Sequence, residues 1–204
     1  MGAVSRWLDE RIGTAEIRGA LLDRRVPKRL TWWHTLGSAT FAVFMVQVGT
    51  GVLLAMYYSP SPDHAHNSIR FIERQVVSGS MLRGIHHWGA SVMVVLVMAH
   101  MIRVFTMGAY KYPREANWLL GVGLFAIVMG FSFTGYLLPW DQKAYWATEV
   151  GTNIAGTTPF IGGILVKVLR GGSQLGAATL TRFYALHVLL LPLTFVALVG
   201  LHLA

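Results

Sequence analysis

An all-α integral membrane protein, four spanning helices gathered into one bundle, is the fold this sequence predicts, and three observations predict it. Of its 204 residues 54% are apolar, more than an ordinary soluble domain of this size carries. Four stretches run without Asp, Glu, Lys or Arg for at least about 18 residues, the length a helix needs to cross the hydrocarbon core. No stretch alternates apolar and polar residues as a half-buried strand does. Backbone amides in lipid must be satisfied within the spanning segment, so helices are the spanning form.

The uncharged stretches are Leu30 to Pro62, Gly84 to Ile102, Ala116 to Trp140 and Phe183 to Ala204. Four buried helices of a soluble protein would need amphipathic partners to cover them, and a chain this short has almost none. Residues 1–29 form an N-terminal surface segment ahead of a four-helix domain at 30–204. That segment is charged throughout and lacks a long apolar centre, so no cleavable signal is expected. Val4, Trp7, Leu8 and Ile12 share one helical face, which suits an interfacial helix lying on the membrane or a solvated terminal helix.

The formal charge is +8, yet its placement points to a membrane and not to nucleic acid. Seven of the seventeen Lys and Arg residues precede the first apolar stretch, and Arg103, Lys111 and Arg114 flank the second connection. The positive-inside rule places both regions, and with four spans both termini, on the cytoplasmic or negative side. Arg70, Arg74 and Arg83, on the opposite connection, run against this assignment. The sequence has no cysteine, which excludes a protein disulfide, a thiolate-held iron–sulfur cluster in this chain and thioether attachment of a haem.

His86 and His100 lie fourteen residues apart in the second stretch, and His187 and His202 fifteen apart in the fourth. At about 100° and 1.5 Å per residue, fourteen residues end about 40° short of full turns and fifteen about 60° past, roughly 21 to 22 Å along the axis. Each helix thus offers two imidazoles on one broad face at two depths. A lone histidine on an apolar face is more often a hydrogen-bonded core residue, but two matched pairs at membrane depth point to iron. With short connections the second and fourth helices run parallel, pairing His86 with His187 and His100 with His202. Two imidazoles fill both axial positions of a haem iron, which suits electron transfer and leaves no site for oxygen.

Gly37 and Gly51 in the first stretch and Gly121 and Gly135 in the third repeat the fourteen-residue interval. Missing side chains there let a porphyrin edge approach the backbone, although glycine is also common at ordinary membrane helix contacts. Arg83 and Arg103 each lie three residues from a histidine, toward opposite surfaces, where a guanidinium pairs with haem propionates or snorkels to headgroups. His87 points about 100° away from His86 and does not serve the same iron. His34, His64 and His66 have no partner at matching depth. The connection from Pro139 to Arg182 is too long for a turn. Trp140, Tyr145, Trp146 and Val150, then Phe160, Ile164, Leu165 and Val168, suggest two short interfacial helices broken by Gly156 and Pro159, whose aromatic residues also suit a membrane-surface belt.

The segments RGIHHWGASVMVVLVMAHMIRVF, GFSFTGYLLPWDQKAYWATEV and TLTRFYALHVLLLPL, with His202, closely resemble cytochrome b of Rieske–cytochrome b complexes. Four helices and the fifteen-residue interval look most like cytochrome b6, the short, split form. The resemblance implies two non-covalent b-type haems, with His86 and His187 holding the low-potential haem on the positive side and His100 and His202 the high-potential haem on the negative side. It carries over Arg83 and Arg103 as propionate partners and the four glycines as haem-packing positions. It also places Thr134 to Gln142, with Tyr136, Pro139 and Trp140, and beyond them Trp146, in the outer quinol pocket region. The long connection would roof that pocket and face the Rieske protein.

The implied activity is that of a quinol:cytochrome c oxidoreductase, or one with a plastocyanin-like acceptor, working by a Q-cycle in an energy-transducing membrane, the bacterial inner membrane foremost. The alternative is a di-haem membrane anchor of a quinone-linked dehydrogenase or hydrogenase. The Pro-Glu-Trp-Tyr motif that completes the family's quinol pocket is absent from this sequence. A subunit IV-like second half, a Rieske iron–sulfur protein and a c-type cytochrome are therefore expected partners, in a dimer of hetero-oligomers, with the chain inactive alone. Two departures stand out. Thr35 stands where cytochrome b6 carries the cysteine of an extra haem, which argues against that third haem, and His87 stands where chloroplast-like sequences show arginine.

Overall fold

The computed structural model describes residues 31–203 together with Val4 and Gly19. The chain divides into two compact units, Met1–Thr35 and Leu36–Ala204. In the first, Trp32–Thr35 form a 3-10 turn whose Thr35 Oγ1 donates to the Trp32 carbonyl at 2.7 Å. The surface helix expected around Trp7, Leu8 and Ile12 lies outside the described residues.

All regular structure in the second unit's described residues is helical: α1 (Leu36–Ala55), α2 (Ala65–Gln75), α3 (Gly79–Thr106), α4 (Glu115–Leu137), α5 (Gln142–Gly156), α6 (Gly162–Arg170) and α7 (Ala177–Leu203). The helices α1, α3, α4 and α7 are long and apolar enough to span a membrane. Val95, Val52, Leu119 and Leu193 are among the apolar side chains left on the outside, as expected of helices that are hydrophobic all round and meet lipid. Within α7, Leu186–Leu190 form a π turn, followed by Pro192, which has no amide hydrogen to give an α-helical bond.

The ends of the spans differ from the uncharged stretches. α1 stops at Ala55, well before Pro62, because Pro60 and Pro62 cannot donate to a helical ladder. α3 begins at Gly79 and so includes Arg83. α7 begins at Ala177 and includes Arg182. Long basic side chains at helix ends reach the interface with their stems on apolar surface, so charge does not mark where a span stops. The short helix α2 was not anticipated from sequence. Its Ala65 and Ile72, two turns apart on one face, are fully buried, and Gly79 leaves room for the Ile72 carbonyl where the chain turns into α3.

The two interfacial helices expected after the third span are α5 and α6. Asp141 caps α5, accepting from the Ala144 amide at 2.8 Å, a contact that satisfies one of the first-turn donors. Gly162 lets α6 approach the Gly156 carbonyl more closely than any side chain would permit. Buried Arg170 then ties the pair together, donating to Thr152 Oγ1 at 2.8 Å, Asn153 Oδ1 at 2.9 Å and Glu149 Oε1 at 3.1 Å.

α1 packs on α3, and α4 on α7. Between them lies an apolar core in which Phe44 of α1, Met93 of α3, Val128 of α4 and Phe195 of α7 are all buried. The Phe44 and Phe195 rings lie 4.3 Å apart, centre to centre.

Candidate metal centre

The four intramembrane histidines meet in the pairs that helix direction predicts. His86 and His187 ring centres are 6.2 Å apart with planes at 69°, and those of His100 and His202 are 6.5 Å apart at 79°. Two imidazoles on opposite sides of one metal, at about 2 Å from metal to nitrogen and about 1 Å more to the ring centre, stand about 6 Å apart. Both pairs have that separation. Among the described residues no group of three or more metal-binding side chains occurs. Two donors per site leave most of a metal's coordination to something else, and a planar macrocycle with two axial imidazoles fits such a pair.

Each of the four glycines faces one histidine. A methyl group on Gly37 would stand 3.2 Å from His100 Cε1, on Gly51 3.2 Å from His86 Cε1, on Gly121 3.4 Å from His202 Cε1 and on Gly135 2.6 Å from His187 Cε1. These contacts make α1 antiparallel to α3 and α4 antiparallel to α7. They also give the repeated fourteen-residue interval an immediate cause: each ring lies against bare backbone of the neighbouring helix, which is closer than a side chain would allow.

The His86 level is held more tightly than the His100 level. Thr50 Oγ1 donates to the Val46 carbonyl at 2.7 Å and lies 2.9 Å from His86 Nδ1, so toward the ring it acts as acceptor. Thr134 Oγ1 likewise donates to the Gly130 carbonyl at 2.7 Å and lies 3.2 Å from His187 Nδ1, which also meets the Phe131 carbonyl at 3.1 Å. Acceptors at Nδ1 assign the proton to that nitrogen and leave the Nε2 lone pair for a metal. At the other level His202 Nδ1 is buried with no hydrogen-bond partner among the described residues. Sequence reasoning missed the roles of both threonines, although each directly precedes its glycine, as Thr50-Gly51 and Thr134-Gly135, whereas leucine precedes Gly37 and Gly121.

The remaining candidates are scattered along the two surfaces. Arg83 forms an ion pair with Glu73 of α2, and Arg103 Nε points to Met107 Sδ at 3.1 Å. His87 is exposed with its ring edge-on to Trp88. His64 meets Ser61 Oγ at 3.0 Å, and His66 Nδ1 reaches the Pro139 carbonyl at 3.4 Å.

At the end of α4, Tyr136 is exposed, Pro139 and Trp140 are half-buried, and Trp140 has a left-handed backbone with φ of 51°. Trp146 is exposed on α5, its indole donating to Gln142 Oε1 at 2.9 Å. Tyr58 was not singled out from sequence. Its hydroxyl donates to the Leu138 carbonyl at 2.6 Å and its ring stacks on Tyr184. Burial, with a smaller contribution from Tyr184, pushes the Tyr58 phenol above its ordinary range, which keeps it a donor.

Spanning helices that bring paired imidazoles together at two depths define a membrane protein of the electron-carrying kind, and comparison with known proteins gives the family. Residues 21–204 match the family described as Cytochrome b/b6/petB. The menaquinol:cytochrome c reductase cytochrome b subunit of Geobacillus thermodenitrificans is 42% identical, over 96% of this chain and 91% of the relative. The cytochrome b6 of Heliobacterium mobile is 40% identical, over 96% of this chain and 93% of the relative. A solved structure described as a hyperthermophilic respiratory Complex III superposes with a TM-score of 0.88 at 33% identity. The match covers 97% of this chain and 53% of that one, so the chain spans about half the length of the solved protein. The chain belongs to the cytochrome b/b6 family. It is an integral membrane protein of electron transport, and the family implies b-type haem and a quinol substrate.

Proposed function

We propose that this chain is the di-haem electron-transfer subunit of a quinol:cytochrome c-type oxidoreductase, with His86 and His187 holding one non-covalent b haem and His100 and His202 the other. The observation that carries this reading is the pair of matched imidazole separations, 6.2 and 6.5 Å, at two levels of one bundle. Bound b-type haem supplies a one-electron carrier, and the protein supplies its position and surroundings. His86 with His187, and His100 with His202, would hold the two haems through their imidazole nitrogens. Thr50 and Thr134 orient the rings at the His86 level, and the Phe44, Met93, Val128 and Phe195 core keeps water out between the levels. Arg83 and Arg103, one turn beyond each level, provide cations for propionates, Arg83 shared with Glu73.

The face formed by exposed Tyr136 and Trp146 with half-buried Pro139 and Trp140 is one wall of the quinol pocket. In this reading it lies on the positive side with the His86 level, while the termini lie on the negative side. A Rieske protein, a c-type cytochrome and a subunit IV-like half of cytochrome b complete the assembly, as a dimer, and a Q-cycle carries electrons across the membrane. The names of the relatives favour this over a dehydrogenase or hydrogenase anchor.

Single alanine substitutions of the four histidines in the assembled complex test the ligand set. His86→Ala and His187→Ala should abolish the same low-spin haem signal, and His100→Ala and His202→Ala the other. A variant keeping both signals would refute the pairing. Quinol:cytochrome c reductase activity should appear with the natural partners and not with the haem-loaded chain alone.

A further inference from the structure

Three of the four spanning helices share one repeat. Gly37, Phe44 and Gly51 follow at seven-residue steps in α1; so do His86, Met93 and His100 in α3 and Gly121, Val128 and Gly135 in α4. The outer members of each set face the two histidine levels, and the middle member is buried in the core between them. In α7 the corresponding set is His187, Phe195 and His202, with steps of eight and seven. The surplus residue therefore lies before Phe195.

A regular α-helix does not absorb it. One extra residue turns everything beyond it by about 100°, which would carry Phe195 and His202 off the faces they occupy. Yet Phe195 stacks on Phe44, and His202 meets His100 at nearly the separation of the other pair. The π turn at Leu186–Leu190 falls within the eight-residue step, and its Leu191 amide donates to the Leu186 carbonyl, five residues back. Five residues there close the loop that four close in an α-helix, so one residue is taken up without turning the rest. Pro192 follows directly and cannot donate to the Val188 carbonyl, which favours a break at this place.

We propose that the π turn at Leu186–Leu190 is the positioning device of α7: it takes up one surplus residue and so restores the seven-residue register that brings His202 to His100. The inference rests on the histidine-pair reading for its haem readout only.

The test compares two deletions in the assembled complex that give His187 and His202 the same fourteen-residue interval. One removes Leu189, exposed within the turn; the other removes Val196, exposed beyond Phe195. Register is read without haem by cross-linking Gly123→Cys to Leu198→Cys, since the protein has no other cysteine and a methyl group at Gly123 would touch Leu198 at 3.9 Å. Removing Leu189 should keep the cross-link and both low-spin signals, and removing Val196 should lose the cross-link and the His100 level signal. Equal behaviour of the two deletions, or loss of the cross-link without Leu189, overturns the proposal. If the Leu189 deletion does not accumulate, deletions of Val188 and Leu190 serve in its place, and failure of all three overturns it too, because a turn holding a surplus residue tolerates its removal. A kept cross-link with lost haem upholds the register and refutes the ligand assignment instead.

Discussion

Gly135 faces His187 so closely that one added methyl group would stand 2.6 Å from the imidazole Cε1 and 3.0 Å from Nδ1. That ring is also held by Thr134 and the Phe131 carbonyl, so it has little freedom to retreat. Gly135→Ala should cost about 1–3 kcal/mol of overpacking and reduce haem at the His86 level. Gly37→Ala and Gly51→Ala, at 3.2 Å, should be milder and Gly121→Ala, at 3.4 Å, mildest. Haem per chain, measured across the four variants, checks the order; greatest loss at Gly121 would contradict it.

Thr50→Val keeps the shape of the side chain and removes the oxygen 2.9 Å from His86 Nδ1. Outer-shell partners of metal-bound histidine are worth about 10–100-fold in affinity. Haem titration of the variant should show weakening of that size at the His86 level alone. Unchanged affinity would mean that the hydroxyl does not orient the ring.

Arg170→Gln should loosen the α5 and α6 pair. The guanidinium is buried and joins Glu149, Thr152 and Asn153, and breaking a buried pair costs on the order of 3 kcal/mol. Faster proteolysis within residues 157–161 and a lower Tm of the complex are expected, with both haem signals kept. A protease-resistant variant would show that the clamp is dispensable.

Tyr58→Phe removes the hydroxyl that donates to the Leu138 carbonyl at 2.6 Å and should cost about 1 kcal/mol. Because burial raises this phenol in the folded chain, its contribution is whole below the unfolded phenol's value of about 10 and is lost as pH rises above it. The difference in thermal stability between the native protein and Tyr58→Phe should thus shrink in alkali. A difference that grows with pH would reverse the sign and rule out the donor role.

The four spans and both histidine pairs were legible in the sequence because lipid imposes coarse, local demands. A span must be long and apolar, and a titratable ring inside it is conspicuous. Helix ends were less legible. Arg83 and Arg182 sit inside helices that an uncharged-run criterion begins after them, because the ends of a span lie where arginine reaches water. The helix α2 escaped because its buried face is only Ala65 and Ile72, too short a pattern to stand out.

By itself, then, the sequence determined the number of spans, the two levels and which histidine stands at which level, since these follow from residue count, helical rise and alternating direction. Tertiary structure decided what each ring touches. That Gly135 meets His187, that Thr50 and Thr134 supply acceptors at one level while His202 Nδ1 meets none among the described residues at the other, and that Arg170 ties α5 to α6 all depend on how neighbouring helices approach. The fifteen-residue interval shows the division most clearly. Counting alone turns His202 about 100° beyond the fourteen-residue register of the other spans, and it is the π turn, set by a break in backbone hydrogen bonding beside Pro192, that returns the ring to face His100.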